Sequence, residues 1–150
     1  MKKIIIVSLL TFVLSQMLYA AEPQKENKLT GTWKLIKAVT NGKPNPQIVM
    51  DRDWTFYPNN TFAGKVYING AEKPFNSGIF FLPNDTTMIT LHYAPDKKLY
   101  KLAYTYNFHI QNDSLHFYGV YFNRVSSEPT MLQMMYIDEW WIKQSSLPQK

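Results

Sequence analysis

A chain of 150 residues, 45% apolar, 15% aromatic and 18% charged, has the composition of a globular protein of one-domain size. Its formal charge of +5 falls to +3 when Lys2 and Lys3 are set aside, and the remaining basic residues are scattered, which excludes the basic stripe expected of a nucleic-acid-binding surface. There is no cysteine, so neither a disulfide nor a lipid on an N-terminal cysteine is available, and the fold must rest on core burial.

Residues 1–20 read as a signal peptide: Lys2 and Lys3 precede an apolar run, Ile4 to Leu14, too short to span a bilayer comfortably, and small residues follow at Ala20 and Ala21. The alternative is an uncleaved N-terminal anchor. With cleavage, the mature protein is expected to be periplasmic or secreted and to keep no transmembrane segment. Residues 21–28 are polar, contain Pro23 and read as a flexible leader.

The stretch Leu29 to Val39 opens the folded region. Trp33, Leu35 and the stem of Lys37 fall on one side of a period-2 pattern, with Lys34, Ile36 and Ala38 on the other, as in a β-strand. Gly31-Thr32-Trp33 is expected to start and plug a small barrel, the indole closing one end and Gly31 letting the chain pass close beneath it; the alternative is an ordinary strand with one core tryptophan. Asn41-Gly42 and two prolines then mark a turn, and Gln47 to Tyr57 reads as the next strand. Thr61–Ile68, Phe75–Leu82 and Thr86–Tyr93 follow, separated by Asn69-Gly70 and Pro83-Asn84-Asp85. The longest pair is Leu99–Ile110 with Ser114–Phe122; a looser stretch, 123–130, leads to Met131–Lys143, and 144–150 reads as a disordered tail.

About eight strands joined by short turns, with no sustained 3.6-residue period, predict an all-β protein, residues 29–143 forming one barrel. Nearly every connection is short enough for a hairpin. That favours an up-and-down antiparallel barrel over a Greek-key sandwich, whose longer crossings fit only near 41–47 and 123–130.

If Asn112-Asp113 form the turn of the long hairpin, Phe108 faces Phe117, Tyr106 faces Gly119 and Tyr104 faces Tyr121, making one face almost wholly aromatic. Gly119 leaves room for the Tyr106 ring. The other face, with Lys101, Thr105, Asn107 and His109, reads as the solvent side. Inward tyrosines (Tyr100, Tyr104, Tyr106, Tyr121) bring hydroxyls that need partners, so either a ligand-holding lumen or a filled core with hydroxyls at its mouth accounts for them.

The same register opposes His109 and His116 on the outer face without an evident third metal ligand, so no metal site is assigned; His92 stands alone. Asp51, Asp53 and Asp138-Glu139 are carboxylates that spacing cannot pair. No nucleophile elbow, H-E-x-x-H, P-loop or dinucleotide fingerprint is present, and neither an enzymatic activity nor a cofactor is expected. In the last strand Ile137, Glu139, Trp141 and Lys143 share one face, and closure against the first strand would lay Lys143 over the Trp33 ring.

Gly31-Thr32-Trp33, eight short strands, Y-x-x-E-x-W-x-K at 136–143 and the N-terminal segment together resemble a bacterial secreted lipocalin-like domain protein, of the small exported families of unknown function. The resemblance spans Leu29 to about Lys143. It implies a lipocalin-like barrel whose G-x-W tryptophan, Trp33, sits beneath a basic residue from the barrel's end, for which Lys143 is the candidate. The T-D-Y turn motif of typical lipocalins has no counterpart near Asp96 or Asp113. The expected function is binding of a small apolar or aromatic ligand in the lumen, with Tyr104, Tyr106, Phe108, Phe117 and Tyr121 as walls. The alternative is a packed barrel docking onto an envelope protein or glycan through outer aromatics such as Tyr67, Tyr118 and Phe122.

Overall fold

The computed structural model describes residues 27–45, 51–94, 96–125 and 128–146. Residues 1–26, read from the sequence as a signal peptide and most of a leader, together with residues 46–50, 95, 126–127 and 147–150, lie outside the described residues. The strands are β1 (Gly31–Thr40), β2 (Lys43–Pro44), β3 (Arg52–Phe56), β4 (Thr61–Ile68), β5 (Ala71–Asn84), β6 (Thr87–Tyr93), β7 (Leu99–Gln111), β8 (Ser114–Val125) and β9 (Glu128–Lys143). From β3 onward each strand pairs antiparallel with the next, β3 also pairs with β1, and β9 returns to β1, so eight strands close an up-and-down barrel; β2 is a two-residue flap on the end of β1.

The turn residues act as their chemistry demands. Asn41-Gly42 and Asn69-Gly70 take positive φ (51° and 76°, 53° and 77°), the backbone of tight hairpins, and Asn112 turns the β7–β8 hairpin at φ 54°. β5 is longer at both ends than its sequence predicts. Pro74 and Pro83 sit where its ladders slip register, Pro74 against β4 and Pro83 against β6, and a slipped ladder excuses the missing N–H. At the tail, Gln144–Ser146 form a short 3-10 turn rather than a disordered end, and Gln144 Nε2 donates to Asp53 Oδ2 at 2.6 Å.

The first strand departs from simple alternation. A register shift between Leu35 and Lys37 leaves Ile36 as an exposed bulge, so Ala38 turns inward and Lys37 outward, where its Nζ lies 4.1 Å from the centre of the Trp140 ring. A bulge adds one residue to the count, which exchanges the faces of everything beyond it. Barrel closure follows the expected register: Trp33 pairs with Lys143, and Lys143 Nζ lies 5.6 Å from the Trp33 ring centre. Gly31, at φ 127°, passes so close to this lysine that a Cβ there would lie 2.9 Å from Lys143 Cε.

The closed end is packed solid. Trp54 stands within 5.4–5.6 Å of Phe56, Phe62, Phe117 and Trp141, centre to centre, and Phe80, Met88 and Leu115 complete the buried cluster. In the long hairpin Tyr106 faces Gly119, Phe108 faces Phe117 and His109 faces His116. A Cβ on Gly119 would lie 2.7 Å from Tyr106 Cδ1 and 2.9 Å from the Thr105 carbonyl oxygen. Gly119→Ala is therefore expected to cost about 1–3 kcal/mol, the usual range for overpacking, measured as a loss in urea midpoint; an unchanged midpoint would mean that the ring is not seated over this glycine.

Candidate ligand site in the barrel lumen

Above the packed floor the lumen holds a cavity of about 210 Å³. Arg52 begins β3 and shares its inward face with Trp54 and Phe56, both buried, while Glu139 alternates inward with Ile137 and Trp141 on β9. These two charged residues, distant in the chain, meet inside the barrel with Arg52 Nη1 3.6 Å from Glu139 Oε1. Glu139 is only 4% exposed. Burial pushes its carboxyl up to about 7, with Arg52 and the Trp141 side chain holding it partly down. Arg52 is itself lowered by burial, against the opposing pull of Glu139 and Tyr121.

Rings form the wall. His92 stands edge-on between Phe62 (5.2 Å) and Tyr104 (5.1 Å); Tyr104 stacks at 6.4 Å on Tyr106, and Tyr106 lies 4.5 Å from Phe117 on the floor. Burial raises the Tyr106 phenol far above its ordinary range and raises Tyr121 as well, so both remain neutral hydroxyls at physiological pH. His92 is lowered to about 4 by the same desolvation, and its Nε2 lies 3.2 Å from Thr90 Oγ1. The His92 ring resonances are accordingly expected to stay at their neutral position from pH 8 to about pH 5 in an NMR titration, and a midpoint above pH 6 would show that the cavity is open to bulk water.

Several polar atoms around Arg52 and Glu139 are buried without a hydrogen-bond partner among the described residues: Trp141 Nε1, Arg52 Nε, Trp54 Nε1 and Asn76 Oδ1. The last two converge on the space that a side chain at Gly64 would fill, 2.7 and 2.1 Å from its Cβ position. An unpaired buried donor or acceptor costs about 1–3 kcal/mol.

Of the five wall residues read from sequence, Tyr104, Tyr106 and Tyr121 line the cavity. Phe108 and Phe117 do not: Phe117 is packed into the floor beside Trp54, and Phe108 borders a separate surface hollow near Phe81 and Leu82 at the other end. Alternation put all five on the inward face; height along the barrel axis, which alternation does not encode, divides them. Sequence reasoning missed Arg52, His92 and Asn76 as lining residues, and left Glu139 unpaired. An inward-facing charge on each of two strands was the available signal, but only closure shows that they meet.

The remaining carboxylates lie elsewhere. Asp51 pairs with Lys34 at 3.0 Å on the surface, and Asp53, buried on the outer face, accepts from Gln144 and, at 3.3 Å, from the Tyr67 hydroxyl. His116 contacts Asp138 at 2.5 Å and stacks on Trp140 at 4.7 Å rather than turning to His109. No group of three or more metal-ligating side chains occurs among the described residues. Comparison with protein-family models finds no match to this chain, and comparison with curated proteins finds none either.

Proposed function

We propose that this is an exported, non-enzymatic lipocalin-like protein that binds a small, largely aromatic ligand in the open half of its barrel. The observation that carries this reading is the cavity of about 210 Å³, walled by Tyr104, Tyr106, Tyr121 and His92, with Arg52 and Glu139 also in its lining. Burial against rings would supply affinity and the tyrosine hydroxyls orientation. A cavity of roughly 150 Å³ is enough for benzene, so the space suits one substituted ring and is too small for a retinoid or a long acyl chain. A wider depression of about 1110 Å³ adjoins it, shares Phe75, Asn76 and His92, and offers a way in. The resemblance in Gly31-Thr32-Trp33 and the signal-peptide pattern support export to the periplasm or beyond; no helix among the described residues is long and apolar enough to cross a membrane.

A second reading has its own observation. Leu132, Met134 and Tyr136 on β9 are exposed, Met134 by 65%, beside half-buried Val120 and Phe122 of β8. Such a strip suits docking onto an envelope protein or glycan. Of the outer aromatics named for this role, Phe122 belongs to this strip and also borders the cavity mouth, while Tyr67 donates to Asp53 and Tyr118 lies against His116.

Native mass spectrometry of the mature protein, purified gently from its own cell envelope and compared with the denatured sample, separates the two. A reproducible small-molecule mass lost on denaturation supports the carrier. The bare mass, with no binding of a hydrophobic fluorescent probe, refutes it and favours the outer strip.

A further inference from the structure

No hydrogen bond within the described residues engages the Arg52 Nη groups, the Glu139 oxygens or the hydroxyls of Tyr106 and Tyr121. Unlike Arg52 Nε, Trp54 Nε1 and Asn76 Oδ1, none of these atoms is sealed away, so they are the polar groups that the cavity presents. Tyr104 is already engaged, its hydroxyl donating to the Phe122 carbonyl at 3.4 Å. By kind the presented groups balance: Arg52 offers donors, ionised Glu139 offers acceptors, and each tyrosine hydroxyl offers both. Charge balances too, with one guanidinium against one carboxylate and Tyr106, Tyr121 and His92 neutral. The ion pair itself is open, because Arg52 Nη1 and Glu139 Oε1 stand 3.6 Å apart, beyond hydrogen-bond reach, on side chains 15% and 5% exposed.

We propose that the luminal ligand is an uncharged phenol, its hydroxyl bridging Arg52 Nη1 and Glu139 Oε1 and its ring lying against His92 and Tyr104. This rests on the carrier reading above. A polar group beside the open pair meets a donor and an acceptor at once. A carboxylate there would face Glu139 as a like charge and an ammonium would face Arg52 as one, and either would leave an uncompensated charge in a largely enclosed space. A hydroxyl accepts from the guanidinium, donates to the carboxylate and adds no charge. Phe75 steadies the guanidinium, its ring centre 4.3 Å from Arg52 Cζ. One hydroxylated ring is also what about 210 Å³ admits, since roughly 150 Å³ is enough for benzene.

The balance holds only while Glu139 is ionised. The groups facing its carboxyl are Arg52 from β3, Tyr106 from β7 and Tyr121 from β8, with Asp138 and Trp141 beside it on β9 and the apolar Ala38 opposite it on β1; His92, from β6, shares the cavity and stays neutral. A hydroxyl that donates to the carboxylate favours its ionised form, so binding and proton loss from Glu139 are linked. Phenol is thus expected to bind more tightly as pH rises through about 7, where this carboxyl loses its proton. The ligand keeps its own proton across that range, the ordinary value of a phenol being about 10.

The test is an NMR chemical-shift titration of the folded mature protein with phenol, anisole, benzoate and benzylamine at pH 6 and pH 8. At pH 8 phenol is expected to bind roughly tenfold or more tighter than anisole, which cannot donate, the margin of a hydrogen bond to a charged group. It is also expected to exceed both ions, and to lose part of its lead over anisole at pH 6. Glu139→Gln leaves the Arg52 charge unbalanced, and is expected to raise benzoate above phenol and to remove the pH dependence. Anisole as tight as phenol, either ion tighter than phenol on the wild type, or an unchanged order of phenol and benzoate on folded Glu139→Gln overturns the assignment. So does failure of all four probes when native mass spectrometry finds a bound molecule that is not a phenol, an outcome that leaves the carrier reading standing. Failure of all four with only the bare mass removes both.

Discussion

Replacing Trp33 by alanine is expected to cost about 3–5 kcal/mol, the range for removing a large aromatic side chain from a core. The side chain is 1% exposed, and its Nε1 donates to the Leu29 carbonyl at 2.7 Å, which ties the approach to β1 back over the ring. On its other side Lys143 closes the barrel end where β1 meets β9. Truncation would leave a cavity at the plug, an unpaired carbonyl and an ammonium with no ring beneath it. A domain of this size has about 5–15 kcal/mol in total, so the loss would bring the variant near its unfolding threshold. Lys143→Met keeps most of the stem and gives up only the cation–π contribution, about 0.5–2 kcal/mol. Urea unfolding of the two variants checks both numbers. A Trp33→Ala cost below about 1 kcal/mol, smaller than an ordinary buried methylene or two would carry, would mean that the ring does not plug the barrel.

The second large effect depends on pH. Glu139, raised from 4.5 to about 7 in the folded protein, holds more protons folded than unfolded between those values. Its contribution is therefore fully present below pH 4.5 and lost as pH rises through 7, on the order of 3 kcal/mol in all. Arg52 is the counter-charge that keeps the raised value from climbing further. Arg52→Met should cost about 3–5 kcal/mol at pH 8, the range for leaving one partner of a buried ion pair uncompensated, and much less at pH 4.5, where Glu139 is neutral without help. Comparing urea midpoints of variant and wild type at the two pH values cancels the other titrating groups. Glu139→Gln serves as the control, because it should remove the excess pH dependence of the Arg52→Met background. A cost for Arg52→Met that is equal at both pH values would show that the pair contributes packing and no charge compensation.

The sequence reaches further into the fold than into the site. Asn41-Gly42, Asn69-Gly70 and Asn112-Asp113 mark their hairpins because positive φ is a local demand that few residues meet. The pairing of Tyr106 with Gly119 follows from that turn and from the cost of turning Asn107 inward. The facing of Trp33 by Lys143 follows in turn from closure of a strand set with matched ends.

The first strand marks the limit. Lys37 and Ala38 exchange faces because Ile36 bulges, and a bulge answers to the partner strand, whose Trp141 and Trp140 pair with Leu35 and Lys37. The tail shows the same limit from its other side. Gln144 looks like the start of a disordered polar end, yet Asp53, buried on the outer face of β3, draws it into a hydrogen bond.

What the amino-acid sequence determined by itself is the all-β class, the turns, most inward and outward assignments and the hairpin register, since each is set by neighbours within a few residues or directly across a tight turn. The tertiary structure decided how high each inward residue stands in the barrel, which sends Phe108 and Phe117 away from the cavity and Tyr104, Tyr106 and Tyr121 to its wall. It also decided that Arg52 meets Glu139. Both depend on the stagger of strands around a closed sheet, a property of all eight strands together that no single stretch of sequence carries.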